Sequence, residues 1–251
     1  MTGLIAAEVK KLTSVRSTLI LTLIGWFLAV TSAMPIVISS FEPFRGTSQQ
    51  VADAVAGAGG NSIIVLVVGL LSMTTEFRHG TIGRTLQLVP SRTRVLFAKL
   101  AAGSVYATVF FLGALVLIAV VVVGAVLIQD VSFAVDGAAF EKAWQGLVGA
   151  ILTVLLGVAF GALVRAQVVA IVVALVWIFV VENLFAALWP QVGRWFPFQA
   201  LNGLFIPESA AGQLPDGMFV PLAGLTALAV FSAWVVAFGV AAVVLLRTRD
   251  V

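Results

Sequence analysis

Reactive side chains are few in this chain, and their types exclude most chemistry before any fold is considered. There is no cysteine, so no disulfide, thiolate metal site or thiol nucleophile can form. His79 is the only imidazole, which argues against a histidine-rich metal site. It stands beside Arg78 in a basic stretch, a neighbour that disfavours a second positive charge. The four lysines are Lys10, Lys11, Lys99 and Lys142, and none follows a glycine. A phosphate-cradling P-loop is therefore missing from the sequence. Glu182 is the one acid inside a long apolar run, where an ionisable group is costly and marks a pathway or a buried partnership. Arg194 is its expected partner, because Arg165 lies about 17 residues away, nearly a full span. Asn183 adjoins it in the same candidate pathway or packing site. Gly157 and Gly161 of GVAFG have the spacing that lets helices approach closely, within one subunit or between two. With this inventory neither a metal centre nor an acid–base pair can be assembled inside a membrane, and the chain is expected not to be an enzyme.

The elements that must position these residues are apolar helices. Of the 251 residues 61% are hydrophobic and 10% charged, with a mean hydropathy of +1.16. A soluble domain is nearer half apolar and a quarter charged. A bilayer core of ~30 Å takes about 20 helical residues. Windows free of charge place spans near 17–40, 54–75, within 100–128, 143–164, 167–188 and 218–246. No ~10-residue alternating segments point to a β-barrel. The first apolar run is too long for a signal peptide and is read as a retained span. With the N-terminus inside, all of the 14 basic residues except Arg45, Lys142 and Arg194 fall on the cytoplasmic side, as the positive-inside rule requires. The expected fold is thus an all-α integral membrane protein with six transmembrane helices and both termini cytoplasmic. The net charge of +3 is assigned to topology, and no nucleic-acid partner is expected.

Three segments outside the spans carry further pattern. Residues 1–16 read as an amphipathic interfacial helix. Lys10, Lys11 and Arg16 supply its charge, and Glu8 sits close to its apolar side. Residues 190–220, PQVGRWFPFQALNGLFIP and onward, form an aromatic extracytoplasmic loop expected to hold short helices dipping back toward the membrane. Residues 76–99, EFRHGTIGRTLQLVPSRTRVLFAK, form the basic island between spans two and three. Topology, or a surface for anionic lipid heads, accounts for its charge. Its layout says more. Ile82, Leu86 and Val89 share one helical face, Arg84 lies off that face, Pro90 ends the helix, and Ser91 can cap the next one.

On these motifs the chain resembles the permease subunit of a type-2 ATP-binding-cassette exporter of actinobacterial type. EVKKLTSVRST is similar to that family's N-terminal opening. EFRHGTIGRTLQLVPSRTRVLFAK is similar to its loop after span two, FGALVRAQ to its span-four exit, RWFPFQAL to its last outer loop and RTRD to its end. The resemblance runs over nearly the whole length, in order, as a single permease domain of residues 1–251. It implies a coupling helix at about 79–90 that docks on a separate ATP-binding subunit, with Glu76, Arg78, His79, Ile82, Arg84, Leu86 and Val89 in the coupling region. It implies that the N-terminal helix, with Glu8, Lys10, Lys11 and Arg16, touches that subunit too. ATP and Mg would be bound by the partner, with no cofactor on this chain. A second permease copy or paralogue would complete the pathway, and the setting would be the lipid of a bacterial cytoplasmic membrane. A channel or ion-driven carrier with six spans is the alternative. Such carriers show ionisable residues and broken helices at mid-membrane, and here one off-centre acid is found.

Overall fold

Helix is the only regular structure among the described residues of the computed structural model, which are 1–35, 48–60, 62–81, 83, 87, 89, 91–129, 136–206 and 220–248. α1 (Thr2–Ser14) and α2 (Arg16–Thr31) are separated by Val15, whose extended backbone (φ −85°, ψ 125°) breaks the hydrogen-bond ladder. The two helices meet at a bend of 71°. α3 (Ser48–Gly60) and α4 (Ser62–Arg78) follow each other through a single intervening residue. α5 (Arg92–Gln129) runs for 38 residues, about 57 Å at 1.5 Å per residue. That exceeds the ~30 Å apolar core of a bilayer, so α5 must project beyond it. α6 spans Gly137–Val164, and α7 (Gln167–Val176), a π-turn (Trp177–Val181) and α8 (Glu182–Leu188) form one continuous rod. α9 (Pro190–Gly193) and α10 (Pro197–Gly203) are short, and α11 (Gly224–Thr248) closes the order.

Among the described residues five helices are long and apolar enough to cross a membrane, or six if the bent α1–α2 pair counts as one span. The expected spans two to six each fall on one of them. The expected first span corresponds to α2, and its remainder from residue 36 lies outside the described residues.

α6 is the centre of the bundle, packed on α3, α4, α5 and α11. Small residues permit this. A Cβ on Gly157 would stand 2.5 Å from the Leu66 carbonyl oxygen, and one on Gly161 would stand 2.9 Å from that of Leu70. The GxxxG pair therefore seats α6 on α4 backbone to backbone within the subunit, which decides between the two packing roles the sequence left open.

The outward faces stay apolar. Leu23 and Phe27 on α2, Val168 and Phe179 on the α7 rod, and Leu225 and Val236 on α11 are all exposed. Contiguous exposed apolar surface on this scale is a contact surface for lipid or protein.

The short helices expected in the aromatic loop are present as α9 and α10, each opened by a proline at its first turn, where the missing N–H costs nothing. α10 folds back on α11 and buries Phe198 and Leu201 in the core. Residues 207–219 of that loop lie outside the described residues.

Candidate functional site

The chemistry of this chain collects where α1, the end of α4 and the start of α5 meet. Leu12 buries the apolar face of α1, and Glu8, one turn earlier, is buried with it. Glu76 stands near the end of α4 and is 7% exposed, and Lys99 stands two turns into α5 and is 2% exposed. Glu8 Oε1 accepts from Lys11 Nζ at 2.7 Å and Glu8 Oε2 from Lys99 Nζ at 2.7 Å. Glu76 Oε1 lies 2.9 Å from both Lys11 Nζ and Lys99 Nζ. The four residues form a closed ring of alternating charge. Lys99 directs its third donor to the Ser72 carbonyl at 3.1 Å. Three of the four charges are deeply buried, and ions in such a place persist only when paired and hydrogen-bonded. Lys11 is the open member, with its side chain 48% exposed. Burial alone would lower its pKa, but the hydrogen bonds and charges of Glu8 and Glu76 outweigh this and hold it above the ordinary lysine value.

The ring joins both flanks of the basic island to the N-terminal helix. A cavity of ≈ 660 Å³ lies against it, bordered by α1, the α1–α2 bend, Thr75 and Glu76 of α4, and Thr81 and Val89 of the island. The other coupling residues scatter. Arg78 Nη1 donates to Gln167 Oε1 at 3.2 Å, tying α4 to the start of α7. His79 is exposed, its Nδ1 2.9 Å from the Thr75 carbonyl oxygen. Lys10 and Arg16 are exposed on α1 and α2 and take no part in the ring. Ser91 caps α5 as expected, with the Arg94 N–H 3.4 Å from its Oγ. Ile82, Arg84, Leu86 and Pro90, on which the docking-helix expectation rests, lie outside the described residues.

Two further ties close the same end of the bundle. Arg92 Nη1 donates to the Leu246 carbonyl at 3.0 Å, joining α5 to α11. Arg165, in the left-handed conformation at φ 59°, ends α6 and lays its guanidinium 5.2 Å above the Phe77 ring.

Glu182 answers differently from the sequence expectation. It is fully buried, and its partner is not Arg194. Glu182 Oε1 accepts from Trp177 Nε1 at 2.9 Å and from the Phe198 N–H at 3.2 Å, and Oε2 accepts from the Gln199 N–H at 2.8 Å. The last two donors belong to the first turn of α10, whose N–H groups have no partner inside the helix and carry the positive end of its dipole. Arg194 instead sits 5.8 Å over Trp195. The π-turn makes the Trp177 contact. Residues five apart are about 140° apart around an α-helix, and the wider π-turn realigns them. Asn183 Nδ2 donates to the Ile178 and Phe179 carbonyls, each at 3.1 Å, and so occupies acceptors in that widened turn. Glu182 thus fastens α10 to the α7 rod, whereas Asn183, exposed, bonds only within the rod.

Sequence reasoning treated Lys99 as one more topological charge and missed the ring. A signal existed. Lys99 interrupts VLFAKLAA, an otherwise apolar stretch inside the α5 helix, and Glu8 sits between Ala7 and Val9. A lone charge within an apolar helical stretch calls for an opposite charge nearby.

Among the described residues no group of three or more His, Asp or Glu side chains is placed to hold a metal ion. Compared with known proteins, the chain matches no family model and no curated protein.

Proposed function

We propose that the chain is the membrane-spanning permease subunit of an ATP-driven exporter, taking work from a separate ATP-binding subunit. One observation carries this reading: the Glu8–Lys11–Glu76–Lys99 ring binds α1 to both flanks of the 79–91 loop. A partner pressing on that loop or on α1 moves the end of α4, the start of α5 and α1 together, because three buried charges cannot separate without large cost. This is the mechanical property a coupling site needs. α5 carries the displacement along a helix that outreaches the bilayer core, and α4 delivers it to the central helix α6. Glu182, which an ion-coupled carrier would need for its ion, is already occupied by Trp177 and the first turn of α10. ATP and Mg belong to the partner, and a second permease, identical or related, supplies the other half of the path across a bacterial cytoplasmic membrane.

The test is co-purification from the native membrane followed by ATPase measurement. A P-loop ATPase should accompany the wild-type chain, and Arg84→Glu should release it while the chain still inserts. An ATPase that binds both forms equally, or none at all, removes the coupling assignment.

A further inference from the structure

The charge ring leaves one atom unused. Glu76 takes both lysines on Oε1, while its Oε2 is buried and meets no hydrogen-bond donor. A buried carboxylate oxygen is rarely left in this state, and each such atom calls for an explanation. Glu76 is among the residues that border the ≈ 660 Å³ cavity, and a small turn of its carboxylate would present Oε2 to a molecule bound there. The strongest donor for a carboxylate is a cationic N–H.

The rest of the cavity narrows the chemistry. Lys11, half exposed, borders it and offers an ammonium suited to phosphate. Ser17 and Thr18 add hydroxyls, and Leu4, Ala7 and Leu71 add apolar wall. The formal charges of the ring cancel, so a ligand carrying one charge of each sign keeps the site balanced. The cavity also lies at the 71° bend between α1 and α2. With α1 read as the interfacial helix that precedes the first span, that bend would lie at the level of the lipid headgroups.

We propose that this cavity binds the headgroup of a membrane phospholipid bearing a primary amine, with the ammonium on Glu76 Oε2 and the phosphate beside Lys11. The site clamps α1 onto the bundle from its open side. It stands independently of the exporter reading, which survives its failure.

The test is native mass spectrometry of the purified full chain in detergent. It is supplied with phosphatidylethanolamine or phosphatidylcholine of identical acyl chains. The two share the phosphate and the positive charge, but the choline nitrogen has no N–H to donate. Wild type should retain the ethanolamine lipid about tenfold better, the worth of one charge-assisted hydrogen bond. Glu76→Gln should bring that ratio near one. Ala7→Phe, at an exposed position on the cavity wall, should do the same by filling the space, and it leaves the ring intact if Glu76→Gln is not recovered folded. Equal retention of the two lipids by wild type, or a preference that survives either variant, overturns the proposal.

Discussion

Each end of this bundle buries an acid, and the two ends neutralise it by different means. At the α1 end, Glu8 and Glu76 are held by lysines from distant parts of the chain, in a ring whose members come from three helices. At the α10 end, Glu182 is held without a cation, by two backbone N–H groups of a helix start and one indole. The first arrangement depends on charges that must stay together, so displacement of one helix is felt by the others. The second depends on fixed backbone dipoles, which position α10 and have little freedom to rearrange. The difference suits a linkage at one end and an anchor at the other.

The largest expected effect tests the linkage. Lys99→Ala removes the buried cation that serves both acids and should cost about 3–5 kcal/mol, read as a fall in thermal unfolding temperature in detergent. A cost below about 1 kcal/mol, the range of surface ion pairs, would show that the ring is not closed in the working protein. The anchor comes next. Glu182→Ala leaves the Phe198 and Gln199 N–H groups buried without an acceptor and should cost about 2 kcal/mol. Hydrogen exchange should rise in α10 before it rises in α4.

Lys11→Ala should cost about 1 kcal/mol, since this lysine is the half-exposed member of the ring. Its pH dependence has a definite sign. Its folded pKa is raised above 10.5, so its contribution is complete below that value and is lost as the pH rises through the folded pKa. The gap between wild type and Lys11→Ala should therefore shrink in strongly alkaline buffer, and a gap that widens there would contradict the ring geometry. The smallest effect is Arg194→Ala, expected within about 0.5 kcal/mol because Arg194 stacks on Trp195 and does not serve Glu182. A loss equal to that of Glu182→Ala would restore the ion pair that the sequence suggested.

Much of the fold was legible before any coordinates. The apolar windows mark α4, α5, α6, the α7 rod and α11 because the length of an apolar run and the thickness of a bilayer constrain each other. Short helices in the 190–220 loop were legible from its length and aromatic content, and the structure starts α9 and α10 at Pro190 and Pro197. The N-terminal helix was legible from its spacing, and its one irregularity, Glu8 near the apolar side, was the trace of the buried ring. Less of the site could be read. Glu8 and Lys99 are 91 residues apart, and nothing local relates them. Glu182 was found for the right reason, as an acid in an apolar run, yet given the wrong partner. Nearby arginines are visible in a sequence, whereas the unpaired N–H groups of a helix start become donors only once that helix has a position.

The sequence by itself determined the apolar, all-helical character of the molecule, the places of five of its long apolar helices and the absence of cysteine from its residues. These follow from composition and periodicity, which need no third dimension. Tertiary structure decided that Gly157 and Gly161 serve α4, that the π-turn turns Trp177 toward Glu182, and that four scattered charges become one ring. Each of those depends on which surfaces are brought to within hydrogen-bond or backbone contact, a matter of helix placement that no local pattern encodes.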